Sequence, residues 1–199
     1  FLNKIIRFEN VLNTIQYLSW AKLGQPYMGT GRNMAYKKEE FFNVNGFIDH
    51  MQIRTGDDEL FINQAAKGKN TTIAYTSESF SISKPKTTFS EFFLQKRRQI
   101  ATANYFKSVD QIRLGIFYGS QLLFLLTAIM LLALQFEWII VLSIFLVRYV
   151  VAWTVVGFSA GKLKENDIKW WFPIVEIVLI FTQVNAYFTN LFSKPIHWK

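Results

Sequence analysis

The sequence contains no cysteine, which excludes a disulfide framework and any thiolate metal site. Its only histidines, His50 and His197, stand too far apart in the chain to suggest a zinc site. The first ten residues lack the layout of a signal peptide. Charge is missing from one long window: residues 114–136, 23 in all, hold no Asp, Glu, Lys or Arg. A helix needs about 20 apolar residues to cross a bilayer's hydrocarbon core, so this window predicts a membrane span. No internal repeat or long low-complexity tract is present.

What the chain does have is apolar bulk and positive charge, unevenly placed. Hydrophobic residues make up 51% of its 199 positions, with 20 Phe and 6 Trp. Of 22 Lys and Arg, 16 lie in residues 1–113 and 6 in the remainder, and the net charge is +8. Residues 138–158, broken only by Arg148, and 170–192, with Glu176 near the start, predict two further spans. The very short link at Gln135–Glu137 implies an antiparallel hairpin. The loop 159–169 carries Lys162, Lys164 and Lys169, which places it, and the basic half with it, on the cytoplasmic side. Trp138, Trp170 and Trp171 fall where interfacial aromatics are expected. Arg148, mid-span, either faces a polar path or pairs with Glu176, or else snorkels or meets a carbonyl. The basic balance points to an anionic membrane face. No nucleic-acid motif accompanies it.

The basic half carries four predicted helices, one of them opening at the acids 57–59. Phe1–Leu23 carries Leu2, Ile5, Ile6, Val11, Leu12, Ile15 and Leu18 near a 3.6 period. A short helix follows at 37–42, before a Gly46-Phe47 turn. Thr88 and Glu91 form a capping box that opens a helix over 88–106. Its Phe89, Phe92 and Phe93 with Lys96, Arg97 and Arg98 suit a bilayer surface. Gln95 and Arg98 share a face and can instead grip a diphosphate. Residues 71–75 read as a strand, and 77–85 as a Ser-rich loop. Gly29 and Gly31 permit a close backbone approach, to a phosphate or sugar or simply within a turn. The run Asp57-Asp58-Glu59 after Thr55-Gly56 has two readings: acids in a first turn capped by Thr55, or a general base whose pKa is raised by its neighbours.

Taken in order, Gly31-Arg32-Asn33-Met34-Ala35-Tyr36, Gly46-Phe47, Gly56-Asp57-Asp58-Glu59-Leu60, Gln95-Lys96-Arg97-Arg98 and then the spans resemble the C-terminal part of a membrane-bound, processive-type family-2 glycosyltransferase. The resemblance runs from about residue 27 onward. It implies an α/β fold: the C-terminal half of a GT-A domain over 1–86, an amphipathic interfacial helix region over 87–113, and an all-α membrane region of about three transmembrane helices over 114–199. It implies that Asp57 or Asp58 is the catalytic base, with the spacing to Leu60 favouring Asp57. Gly31, Arg32, Asn33, Gln95, Arg97 and Arg98 would bind substrate. Gln99 stands where the family has the Trp of the processive acceptor floor.

The metal-binding Asp-x-Asp of such enzymes has no counterpart here and is expected upstream of Phe1. A divalent cation, Mg or Mn, is thus expected only in the intact enzyme, as is a nucleotide-sugar donor. The implied activity is inverting transfer of a sugar to a lipid-linked or glycan acceptor at the cytoplasmic face of a bacterial inner membrane. Membrane lipid is a partner; nucleic acid is not. The alternative is a non-catalytic membrane anchor or accessory subunit with a basic cytoplasmic face.

Overall fold

A computed structural model describes residues 1–53 and 55–193; His197 lies outside them. Seven α-helices follow in order: α1 Leu2–Lys22, α2 Lys38–Asn43, α3 Asp57–Ala65, α4 Phe89–Ala103, α5 Ser108–Ala133, α6 Trp138–Lys162 and α7 Phe172–Phe192. Short 3-10 segments join them, among them Gly31–Asn33 and Asn166–Trp170. The expected α/β half-domain is corrected: among the described residues there is no strand and no sheet. The run at 71–75 has β propensity, but no second strand offers its backbone a partner, and Thr72, Ala74 and Tyr75 stay exposed.

Three helices, α5, α6 and α7, are long and apolar enough to cross a membrane, which fits a membrane protein. The first two pair as an antiparallel hairpin, with Phe124 stacked on Phe145 (5.8 to 6.1 Å separates successive rings through Tyr149). Gln135 and Glu137 take positive φ in the tight link. Both helices turn their apolar side chains outward: only 6% of the most apolar stretch of each is buried inside the protein, against 39% for α7. Helix α7 packs chiefly on α4 and α1 rather than on the hairpin.

The main core follows from that packing. Ile5, Ile6, Phe8 and Val11 of α1 meet Phe92 of α4, Val156 and Ala160 of α6, Ile168, and Phe172, Val175 and Leu179 of α7. Each fully buried Phe, Leu or Ile contributes about 1.5–3 kcal/mol by leaving water. Two sets of ionic contacts pin α1. Lys4 and Arg7 bind Glu165 and Asp167 in the α6–α7 connection, Arg7 Nη2 reaching Asp167 Oδ1 at 2.5 Å. The hydrogen bond from Arg7, then that from Lys4, holds the Asp167 carboxyl down at about 2. Deeper, Glu9 pairs with Lys96 of α4; the two residues are 5% and 4% exposed. Burial lowers the Lys96 pKa, because the ammonium is removed from water.

Arg148 pairs with Glu176, as one of the sequence readings has it. The guanidinium makes two contacts, at 2.8 and 2.9 Å, and lies over the Phe124 ring. A charge in an apolar span is tolerable when it is matched in this way.

A second, smaller core joins the loops to the membrane hairpin. Tyr27, Leu60 and Phe106 form its centre, with Trp20 and Leu114 against it. The buried Asn63 ties this region together. Its amide donates to the Tyr27 carbonyl (2.9 Å) and to Asp110 (3.0 Å), and its oxygen accepts from the Lys107 backbone N–H (2.9 Å). Helix α3 is thereby fixed to the first turn of α5.

Candidate functional site

Two of the sequence motifs meet in space. The loop 27–36 passes over α3, and the Gly31 backbone N–H donates to Asp58 Oδ2. The glycines explain the approach. A Cβ at Gly29 would stand 3.1 Å from Ile62, and one at Gly31 would stand 2.8 Å from Asp58 Oδ2. Their role is thus to let the chain lie against its own helix. Arg32 and Asn33 are exposed in the same 3-10 turn, and Arg32 Nη1 donates to Ser83 Oγ at 2.5 Å.

The start of α3 differs from the capping expectation. Gly56, not Thr55, precedes the helix, with φ +75°. Thr55 turns instead to the Thr102 hydroxyl on α4, at 3.1 Å. A Cβ on Gly56 would fall 2.3 Å from Thr102 Cγ2, so the loop presses directly on α4. Thr102 also donates to the Arg98 carbonyl at 3.1 Å. The helix carrying Gln95 and Arg98 therefore abuts the loop that leads into the acids. Gln95 and Arg98 are half-buried there.

The three acids differ in setting. Asp57 is exposed. Asp58 is half-buried and one of its carboxylate oxygens accepts from the Gly31 backbone N–H. Glu59 is pushed up to about 8, first by burial and then by the neighbouring Asp58 and Asp57. The sequence predicts one raised carboxyl in the run, and the family resemblance implies Asp57 or Asp58, with Asp57 favoured, as the base. The pattern that identifies Glu59 is its spacing: it lies four residues before the buried Asn63, on the inward face of α3.

Arg97, expected to bind substrate, is committed elsewhere. Its Nε donates to Asn190 Oδ1 (2.9 Å), its Nη2 to the Ser193 carbonyl and hydroxyl (2.6 and 2.8 Å), and Asn190 donates back to the Arg97 carbonyl (2.7 Å). This clamp fastens the end of α7 to α4. Among the described residues no three His, Cys, Asp or Glu side chains converge.

Comparison of the chain with protein-family models, with curated proteins and with solved structures finds no match. The site's chemistry therefore rests on its own geometry.

Proposed function

We propose that this chain forms the acceptor side and membrane anchor of an inverting glycosyltransferase working at the cytoplasmic face of a bacterial inner membrane. The observation that carries the reading is the hydrogen bond from Gly31 N–H to Asp58, which joins the Gly31-Arg32-Asn33 turn to the acidic helix start. The turn holds a carboxylate at the start of α3, and the loop leading into that helix rests on the helix of Gln95 and Arg98. Asp58 is the better candidate base than Asp57, because its carboxylate is held in place by the Gly31 turn while Asp57 is exposed.

The chemistry is a single displacement. Asp58 takes the proton of an acceptor hydroxyl; that oxygen bonds to the anomeric carbon; the bond from that carbon to the nucleoside diphosphate breaks on the opposite face. Configuration inverts, and the diphosphate leaves with the bonding pair. The donor is a nucleotide-sugar and the acceptor a lipid-linked sugar or glycan. The α6–α7 connection, with Lys162, Lys164 and Lys169, is ion-paired to α1, which supports a common cytoplasmic side for both.

The test uses the natural full-length chain in membranes, with a panel of radiolabelled nucleotide-sugars. Asp58→Asn should lower transfer by about 10²–10⁴-fold, the usual contribution of a general base. Asp57→Asn should retain most of it. Full transfer by both variants would refute the reading. The anchor alternative draws on the structural use of Lys96 and Arg97, which removes two of the cations a diphosphate would need. It predicts no sugar incorporation by the wild-type chain from any donor.

A further inference from the structure

Helices α4 and α7 run side by side, and Arg97, in the middle of α4, is clamped to Asn190 and Ser193 at the end of α7. Toward their N-terminal ends, outside the core contact of Phe92, a gap lies open between them. The gap is an open groove of about 270 Å³, walled by Phe89 and Phe93 of α4 and by Ile177, Val178 and Phe181 of α7, and reaching Asn185. From Ile177 to Asn185 it is about 12 Å long at 1.5 Å per helical residue. The two phenylalanine rings lie nearly parallel, with centroids 6.3 Å apart. The one hydroxyl on the wall, Thr182, turns back to the Val178 carbonyl at 2.7 Å, which leaves the exposed Asn185 amide as the polar group at one end of an otherwise apolar lining.

What fills it is argued from three facts. First, α7 is apolar enough to cross a membrane, and its outward residues Ile174, Ile177, Phe181 and Phe188 form an exposed stripe along the groove's lip. The medium that covers such a stripe is hydrocarbon. Second, the mouth lies at the N-terminal turn of α4, directly after the exposed Lys84 and Lys86. Third, the nearest acid on α4, Glu91, is about 200° round the helix from Phe89 and points away. Positive charge at the mouth of an apolar slot matches a lipid with an anionic phosphate head.

We infer that the α4–α7 groove is a binding site for one hydrocarbon chain of an anionic phospholipid, with the phosphate seated at Lys84, Lys86 and the first turn of α4. The inference holds whether or not the chain transfers sugar, although Ser83, next to Lys84, accepts from Arg32 in the turn that holds Asp58. Its occupancy would keep α4, and through Thr102 the loop at Gly56, at a fixed height on the membrane.

The experiment places the full chain in nanodiscs of phosphatidylglycerol and phosphatidylcholine in equal parts. A trace of either lipid carries a photoactivatable group in its acyl chain, and the cross-links are mapped by mass spectrometry. Label should concentrate on the peptides containing Phe89–Phe93 and Ile177–Asn185. The phosphatidylglycerol probe should exceed the phosphatidylcholine probe there by about fivefold or more, as expected for two lysines near an anionic headgroup. Ile177→Trp, at an exposed wall position, should cut the groove label by more than half, and Val178→Trp serves as an independent block. Lys84→Glu with Lys86→Glu should abolish the preference between the two lipids. The inference is overturned if label spreads over α5 and α6 in proportion to exposure and neither Trp variant changes it. It is equally overturned if the two probes label alike in the wild type, or if the groove instead cross-links to a second protein chain.

Discussion

Removing one member of the Glu9–Lys96 pair should destabilise the protein more than removing both. The two side chains sit between α1 and α4 with almost no access to water. Glu9→Leu leaves an ammonium in that place without its counter-charge, and Lys96→Met leaves a carboxylate. Breaking a buried pair from one side costs about 3–5 kcal/mol. For a chain of this size that corresponds to a fall in Tm of roughly 6–20 °C. The double variant replaces two desolvated charges with apolar atoms of similar volume and should lie within about 1 kcal/mol of wild type, or above it.

The sign of the pH dependence gives a second reading of the same experiment. Burial lowers the Lys96 pKa from its ordinary 10.5. In the Glu9→Leu variant the folded chain can shed that proton at a pH where the unfolded chain still binds it. Stability of this variant should therefore rise as pH climbs from neutral toward 10.5. Thermal unfolding in detergent micelles, followed by tryptophan fluorescence, measures all four proteins. The reasoning fails if each single variant costs less than about 1 kcal/mol, or if the double variant shows the sum of the two losses.

Three further outcomes follow from the geometry. Gly56→Ala should cost about 1–3 kcal/mol through its positive φ, with added overlap against Thr102; Thr102→Ser, which deletes the nearest methyl, should recover part of the loss in the double variant's melting curve. Arg148→Leu should cost about 3 kcal/mol or more, Arg148→Lys should fail to restore it fully, and Arg148→Leu with Glu176→Leu should recover most of it, as read by denaturation in detergent. Asp167, with its carboxyl held at about 2, contributes stability that is present above its ordinary 3.8 and is lost as pH falls through the folded value. Because the residue is exposed, Asp167→Asn should change stability by less than about 1 kcal/mol at pH 7 and should remove the acid-side step from a pH titration of unfolding.

The helical part of this fold is readable because its signals are strong and local. The uncharged run in α5, the 3.6 period of α1 and the Thr88 cap of α4, whose hydroxyl accepts from the Glu91 N–H, each act within one element. The strand at 71–75 was expected from β-branched residues alone, and propensity cannot supply the neighbour that a strand requires. The site shows the same division. The acids and glycines of the motifs are visible in the sequence, but Gly29 and Gly31 look like ligand-facing residues until the helix 27 positions away is seen beneath them. Likewise the cations of α4 are legible as charge, whereas their partners Glu9 and Asn190 lie 87 and 93 residues away. Pairings across such distances depend on packing and leave no local pattern.

The manner in which α7 is held bears on how the protein is made. Ribosomes deliver α1 and α4 long before α7, so Phe8, Ile5 and Phe92 emerge with half of their eventual neighbours still unsynthesised. The α5–α6 hairpin can enter the bilayer as a unit, but the nascent chain ahead of it stays adhesive until Phe172, Val175 and Leu179 arrive. Translation stalled before Phe172 should yield a polypeptide that inserts yet is degraded, a dependence on α7 that its moderate hydropathy gives no hint of.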